Sequence, residues 1–237
     1  MADVIQSLWI GDRLSTMEQL CIASFLRHGH PVHLYVYQET AGIPEGTTVL
    51  DGNSVLPASR IFMYSEHKTY AGFANFFRYK LLLEKGGWFV DSDTICTRPF
   101  DFDSEYVFSS EGINGRQLPN VGAMKVPPGS AIMQYAWDTC NQFEPSALKW
   151  SQCGPTLLGK ALQEYSLQSF VQPWDVFCPI HFSVWEQMLD PSLHWEFPER
   201  THAIHLWNEL WRREGRNKDA PYPPGCLYEQ LKQRYLS

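Results

Sequence analysis

Two carboxylates stand one residue apart in Asp91-Ser92-Asp93, directly after the apolar run at residues 88–90. A turn after a strand can bring both side chains onto one ion. Two hard oxygen donors suit Mg²⁺ or Mn²⁺ bound to a diphosphate, and open α/β sheets place ligands at the carboxyl ends of their strands. The motif predicts a divalent-metal site, and solvated turn carboxylates are the alternative.

The same spacing occurs again in Asp101-Phe102-Asp103. This second match lies in a loop flanked by proline, and no apolar strand precedes it. Because so short a motif also arises by chance, the position of each match decides its meaning. Asp103 therefore serves as the control for Asp93.

A helix predicted at residues 71–85, ended by Gly86-Gly87, must position the pair. Asn75 and Arg78 lie three residues apart and share a face of this helix. An arginine on an otherwise apolar helix is costly unless it has an anionic partner. Both residues are expected at the site, and a purely structural salt bridge of Arg78 is the alternative.

The other patterns predict an α/β fold. A strand at residues 5–11, a helix opened by the capping box Ser15/Glu18 and a strand at 32–37 form the start of a parallel sheet. Further strands are predicted at 47–51, 88–90, 105–111 and 120–126, the last two around an Asn114-Gly115 turn. Further helices are predicted at 130–142, 155–165 and the C-terminus, where Leu227, Tyr228, Leu231 and Tyr235 share one face.

Composition excludes several classes of protein. The 237 residues are 44% hydrophobic and 19% charged, which is typical of a globular chain. A net charge of −7 disfavours nucleic-acid binding, and neither GxGxxG nor GxxxxGK[ST] occurs. Six cysteines without a CxxC pair indicate reduced thiols and a cytoplasmic protein. No signal peptide and no transmembrane segment is predicted.

Three segments resemble glycosyltransferase family 32 and its relatives, the large clostridial glucosylating toxins. They are FANFFRYKLLLEKGGWFVDSDTICTRPF around the DxD motif, SLWIGDRLSTMEQLCIASFLRHGH near the N-terminus and AIHLWNELW near the end. The resemblance implies a GT-A nucleotide-sugar-binding fold, with a mixed, mainly parallel sheet and helices on both faces. It also implies a nucleotide-sugar donor, a divalent metal and retention of anomeric configuration.

The resemblance implies roles for individual residues of the donor site. Asp93 would bind the metal directly, and Asp91 would bridge the metal and the donor ribose. Trp9 would stack on the nucleobase, and Arg78 would contact the donor sugar or its phosphate. Asn75 stands where the group usually has Asp contacting sugar hydroxyls, so a different hydroxyl pattern is expected.

The same resemblance extends to residues nearer the C-terminus. Asn120 would contact the transferred sugar, with an ordinary turn asparagine as the alternative. Gly154-Pro155-Thr156 resembles an acceptor-side loop, and it also fits a helix start. His205 would complete the metal shell, and Asn208 would bind the metal or a phosphate oxygen; a hydrogen-bonded core histidine is the alternative.

A basic stretch follows Trp211. It has two alternative interpretations, a solvated tail or a segment that closes over the diphosphate or meets an anionic acceptor. Its members are Arg212, Arg213, Arg216 and Lys218.

Together these patterns predict one GT-A domain over residues 1–237 with a helical tail at about 212–237. Its predicted activity is transfer of a sugar from a nucleotide diphosphate donor, a UDP-sugar, with Mn²⁺ or Mg²⁺. The acceptor stays open between a glycan, a lipid-linked glycan, a protein and a small molecule. Two alternatives are a metal-dependent nucleotide-sugar hydrolase and a non-catalytic sugar-nucleotide-binding module.

Overall fold

The computed structural model describes residues 2–113 and 115–237. Its strands are β1 (Ile5–Leu8), β2 (Val32–Val36), β3 (Thr48–Asp51), β4 (Gly87–Val90), β5 (Thr94–Cys96), β6 (Val107–Ile113), β7 (Arg116–Val126) and β8 (Ala203–His205). Its α-helices are α1 (Thr16–Arg27), α2 (Ala71–Lys85), α3 (Ala131–Cys140), α4 (Pro155–Glu164), α5 (Trp174–Phe177), α6 (Asn208–Arg213) and α7 (Leu227–Leu236). Short 3₁₀ segments lie at Gly52–Ser54, Ala58–Arg60, Pro145–Ala147, Gln168–Phe170 and Phe182–Leu189.

Six of these strands form one mixed sheet in the order β3-β2-β1-β4-β7-β6. β1 pairs in parallel with β2 and β4, and β2 pairs in parallel with β3. β7 runs antiparallel to both β4 and β6. The predicted α/β fold with a mainly parallel sheet is confirmed, and β4, which leads to the DxD motif, lies inside the sheet.

Side chains of β4 alternate between two cores because successive residues of a strand point to opposite faces. Trp88 and Val90 join a core with residues of α1, α5 and α7. Phe89 joins a second core with residues of α2, α3 and α4. Helices therefore cover both faces of the sheet, as predicted, and the buried β4 holds the following carboxylates on a rigid support.

The helices α1 and α2 begin and end close to the predicted positions. Ser15 and Glu18 form the capping box at the start of α1, where the Ser15 N–H donates to the Glu18 carboxylate at 2.8 Å. α2 ends at Gly86, whose φ of 62° favours glycine. A Cβ at Gly86 would lie 2.4 Å from the backbone nitrogen of Pro128, so this turn also requires the close approach of two backbones.

Several boundaries differ from the sequence prediction. β1 ends at Leu8 rather than at residue 11, and the hairpin strands span 107–113 and 116–126 rather than 105–111 and 120–126. Asn114 of the predicted hairpin turn lies outside the described residues. A second sheet, in which β5 and β8 pair antiparallel, was not predicted from the sequence. Three-residue strands are too short to show a hydrophobic period.

The C-terminal helix docks as predicted. Leu227, Tyr228, Leu231 and Tyr235 are buried on one face of α7, and this helix packs against α1. Between the end of α6 at Arg213 and the start of α7, the chain is not α-helical, so the tail at 212–237 is helical only in part. None of the described helices is both long and apolar enough to cross a bilayer.

Candidate active site

The two carboxylates of the DxD motif leave β4 in a tight turn. The Asp91 N–H donates to the Gly122 carbonyl at 2.7 Å, which continues the pairing of β4 with β7. The Thr94 N–H then donates to the Asp91 carbonyl at 3.1 Å and closes the turn. Asp93 is buried, whereas Asp91 is partly open to solvent. The second match, Asp101 and Asp103, is exposed, in agreement with its use as a control.

The small β5–β8 sheet brings His205 to the motif. Thr94 of β5 lies opposite His205 of β8, so the imidazole reaches back to the neighbouring Asp93. His205 Nε2 lies 3.2 Å from Asp93 Oδ1. One side-chain ligand atom each from Asp91, Asp93 and His205 falls within 4.8 Å of the others. Two carboxylate oxygens and one imidazole nitrogen form a donor set that fits Mn²⁺, and Mg²⁺ with more water ligands.

Arg78 reaches from α2 to the other side of the motif. Its Nη2 donates to Asp91 Oδ1 at 2.7 Å, its Nε donates to the Ala74 carbonyl at 3.3 Å, and its Nη1 donates to the Val121 carbonyl. Its guanidinium also lies over the Phe89 ring, 4.7 Å from the centroid. With only 3% of its side chain exposed, Arg78 has the anionic partner that the sequence required.

The two carboxylates differ in their electrostatic environment. Burial raises the pKa of Asp91 above its ordinary value, although the charge of Arg78 opposes this. Burial also acts against the charged form of Asp93, but the charge and hydrogen bond of His205 outweigh it and lower the pKa of Asp93. The Asn208 N–H adds a hydrogen bond to Asp93 Oδ2 at 2.8 Å. The pKa values of the two carboxylates are therefore shifted in opposite directions.

His205 is fixed from three sides. Burial disfavours its charged form, yet Asp93 raises the pKa of His205 well above its ordinary value. The Cys178 thiol lies 3.9 Å from Nδ1, so Nε2 is the nitrogen directed towards the motif. The Trp207 ring packs on the imidazole with centroids 4.1 Å apart, and the Trp207 indole N–H donates to the Ile180 carbonyl at 2.9 Å.

Asn120 and Gly122 of β7 form the surface between the candidate metal ligands Asp91 and His205, which is called the floor of the site below. Asn120 is buried, and its Oδ1 accepts a hydrogen bond from the Gly122 N–H at 2.6 Å. A Cβ at Gly122 would lie 2.8 Å from Asn120 Oδ1, 3.6 Å from Asp91 Oδ2 and 3.8 Å from His205 Cε1. The sequence analysis missed Gly122. A glycine inside a strand often marks such a close approach and is the signal that was available.

Trp9 lies where the chain leaves β1. Its backbone N–H donates to the Tyr35 carbonyl at 2.9 Å, and its ring is partly buried against the first core. Lys218 lies over this ring at 5.6 Å from the centroid, and its ammonium pairs with the buried Glu18. The positive charge of Lys218 also contributes to the lowered pKa of Asp93.

Asn75 occupies the adjoining part of α2. It is buried, and a Cβ at Gly154 would lie 3.1 Å from Asn75 Nδ2. The loop before α4 therefore packs directly on this amide. The contact of Asn208 with the motif is through its backbone N–H, and the predicted role of its side chain stays a prediction.

The basic stretch is mostly satisfied by surface ion pairs. Arg212 and Arg213 both bind Glu209, and Arg216 binds Glu186. Lys218 of this stretch lies over the Trp9 ring and contributes to the lowered pKa of Asp93.

One family model and several solved structures are similar to this chain. Residues 16–110, less than half of the chain, match the family model of the glycosyltransferase sugar-binding region containing a DXD motif. The fold is similar to that of the PaToxG glycosyltransferase, at 16% identity and a TM-score of 0.54, over 71% of this chain and 72% of that one. It is also similar to the glycosyltransferase GlyE of Streptococcus pneumoniae TIGR4, at 14% identity and a TM-score of 0.50.

The GlyE match covers 99% of this chain and 61% of GlyE, so this chain spans less than two thirds of that protein. No curated protein sequence gives a significant match. At such low identities the two structures establish likeness of fold alone, and the fold is that of the GT-A group.

Proposed function

We propose that this chain, of which residues 16–110 match the glycosyltransferase sugar-binding region containing a DXD motif, transfers a sugar from a UDP-sugar to an acceptor hydroxyl in a reaction that requires a divalent metal. The convergence of Asp91, Asp93 and His205 within 4.8 Å carries this proposal. Residues 1–237 act in it as one catalytic unit, and the cytoplasmic location stays a prediction from the cysteine pattern.

The three convergent side chains would hold Mn²⁺ or Mg²⁺. When bound, this cation neutralises the negative charge that grows on the departing diphosphate. The residues around the ligands keep them in place. Arg78 fixes Asp91 through the 2.7 Å contact, and the Asn208 N–H fixes Asp93. Such outer contacts orient metal ligands and commonly change metal affinity or activity 10- to 100-fold.

The donor lies along the carboxyl ends of β1 and β4, where open α/β sheets bind ligands. Trp9 stacks on the uracil ring, and the neighbouring Lys218 faces the diphosphate. Asp91 also reaches the ribose, as the resemblance implies. The transferred sugar lies at the buried amides of Asn75 and Asn120, which can both donate and accept hydrogen bonds.

The transfer proceeds on one face of the sugar and retains its configuration. The acceptor oxygen forms a bond to the anomeric carbon while the bond between that carbon and the β-phosphate oxygen breaks. The proton of the acceptor hydroxyl passes to the departing phosphate oxygen, and UDP leaves with the electron pair. This route needs no nucleophile from the protein, in contrast to the two-carboxylate scheme of retaining glycoside hydrolysis.

Calorimetry with UDP tests the donor and the metal together. We expect tight binding in the presence of Mn²⁺ and strongly weakened binding in EDTA, and equal affinity in both would contradict the proposal. A second assay follows a panel of UDP-sugars. Release of free sugar that no acceptor improves would indicate a hydrolase, and intact donor after long incubation despite binding would indicate a binding module.

A further inference from the structure

A cavity of about 560 Å³ opens beside the metal site. It lies between the β6–β7 hairpin and the segment from α5 to His181, and Glu111, Trp174 and Cys178 contribute to its wall. A volume in this range accommodates a small organic ligand such as one or two sugar rings. The donor residues Trp9, Lys218 and Asn75 do not line it, so the cavity is separate from the proposed donor site.

Two side chains connect this cavity to the metal site. Cys178 lines the cavity, and its thiol lies 3.9 Å from His205 Nδ1. Asn120 accepts a hydrogen bond through Oδ1 from the Gly122 N–H, next to Asp91, and its amide opposes the raised pKa of Glu111 in the cavity wall. A ligand in the cavity therefore lies one side chain away from the proposed transfer site.

Trp174 gives the cavity an aromatic wall. A Cβ at Gly112 would lie 3.2 Å from Trp174 Cγ, so the indole rests against the bare backbone of this glycine. The Trp174 side chain is nevertheless 43% exposed, and it lines the cavity. An exposed indole held by its backbone support offers a flat apolar surface, which suits the C–H face of a sugar ring.

Glu111 and His181 are polar residues of the cavity wall, which Arg116 and Gln117 also line. Burial raises the pKa of Glu111 above its ordinary value, while the charges of His205 and His181 and the hydrogen bond of Asn120 oppose this. The Glu111 carboxylate has lone pairs that can accept a hydrogen bond from a hydroxyl. His181 uses Nδ1 for Ser183 at 2.6 Å, which leaves Nε2 as its second polar atom.

We propose that this cavity is the acceptor subsite and that its ligand is a pyranose sugar, which stacks on Trp174 and donates a hydroxyl hydrogen bond to Glu111. This inference rests on the proposed function, because the subsite lies beside the proposed transfer site. It selects a carbohydrate from the acceptor classes that the sequence left open. An aromatic wall beside the polar side chains of Glu111, His181, Arg116 and Gln117 matches the alternating C–H and O–H groups of a pyranose.

Ligand-observed NMR with methyl glycosides of glucose, galactose and N-acetylglucosamine tests the subsite in the full chain loaded with UDP and Mn²⁺. We expect at least one glycoside to bind and Trp174→Ala to weaken it about tenfold. Tyr165→Ala is the matched control, because Tyr165 is 37% exposed and packs on Tyr135, away from the cavity. It should leave glycoside binding unchanged.

Glu111→Gln keeps the shape of the side chain and removes its charge, so it tests the polar contact even if Trp174→Ala folds poorly. We expect weaker glycoside binding with unchanged affinity for UDP and Mn²⁺. The inference is overturned if no glycoside binds the wild type, or if both variants bind as the wild type does. Glycoside binding without metal-dependent UDP binding would support the subsite and contradict the proposed donor.

Discussion

His205 Nε2 lies 3.2 Å from Asp93 Oδ1, although the two residues are far apart in the chain. The antiparallel pair β5–β8 is responsible, because it sets Thr94 opposite His205. The imidazole and the Asn208 N–H together compensate the buried charge of Asp93. The metal site therefore depends on a short sheet that closes the C-terminal part of the chain onto β4.

Asp93→Asn should abolish transfer, because the amide cannot supply the charged oxygen that holds the metal. We expect the rate to fall roughly 100- to 1,000-fold, the range for losing one electrostatic group of an active site. Asp103→Asn is the control, since Asp103 has the same DxD spacing and is exposed. Initial rates with a UDP-sugar and Mn²⁺ measure both, and greater damage from Asp103→Asn would mean that the site is misplaced.

Arg78→Lys keeps the positive charge but loses the planar guanidinium, whose N–H groups donate to Asp91 and to the Val121 and Ala74 carbonyls. We expect metal affinity and turnover to fall about 10- to 100-fold, because the ligand Asp91 is no longer oriented. Mn²⁺ titration and initial rates measure the two effects.

Arg200→Lys is the matched control for this change. Arg200 also binds a carboxylate with its fork, that of Asp175, but its side chain is 63% exposed. Its replacement should leave Mn²⁺ affinity intact. Full activity of the Arg78→Lys variant would show that Arg78 has only a structural role.

Gly122→Ala should impair activity more than folding. The φ of Gly122 does not require glycine, but the new methyl carbon would lie 2.8 Å from Asn120 Oδ1 and must displace that amide. Turnover should therefore fall while the melting temperature changes little. Gly159→Ala in α4 is the control, because a Cβ there meets only Pro119 at 4.0 Å and alanine favours a helix by about 0.5–1 kcal/mol. A fully active Gly122→Ala variant would argue against a substrate at this floor.

Trp9→Ala should weaken UDP binding more than it weakens the fold. Loss of stacking on a base costs about 1–3 kcal/mol, whereas truncation of a core tryptophan costs about 3–5 kcal/mol of stability. Trp9 is only partly buried, so the first effect should dominate. Calorimetry and thermal melts separate them, with Trp9→Phe as the variant that keeps an aromatic ring. A large drop in melting temperature with unchanged UDP affinity would make Trp9 a core residue.

Asn75→Asp should change the preference among UDP-sugars without loss of metal binding. The carboxylate only accepts hydrogen bonds, whereas the amide also donates, so a different pattern of sugar hydroxyls is favoured. Turnover of wild type and variant across a panel of UDP-sugars measures this. An unchanged ranking of UDP-sugars would contradict the proposed place of Asn75 in the sugar pocket.

Local patterns were sufficient for most of the architecture. The capping box Ser15/Glu18 and the Gly86-Gly87 stop marked α1 and α2, because helix ends depend on residues close in sequence. Three consecutive apolar residues, 88–90, were enough to predict the buried strand before Asp91. The same reasoning placed the DxD at the end of this strand apart from the match at residues 101–103, whose two carboxylates are exposed.

The sequence predicted only part of the candidate site. The sequence and its resemblance predicted Asp91, Asp93, Arg78 and His205, which the structure brings together. It missed Gly122, because its importance comes from side chains that approach it from β4 and β8. It also missed the β5–β8 pair, because strands of three residues leave no periodic pattern.

The sequence by itself determined which residue types could hold a metal and which local elements would carry them. Helix capping, hydrophobic periodicity and helix-ending glycines each depend on residues that are close together in the sequence. The sequence alone therefore shows them. Only the tertiary structure decided that Asp93 meets His205, that Lys218 lies over Trp9 and that Glu111 and Trp174 share a cavity. These contacts join distant segments, and the packing of helices and strands against each other fixes them.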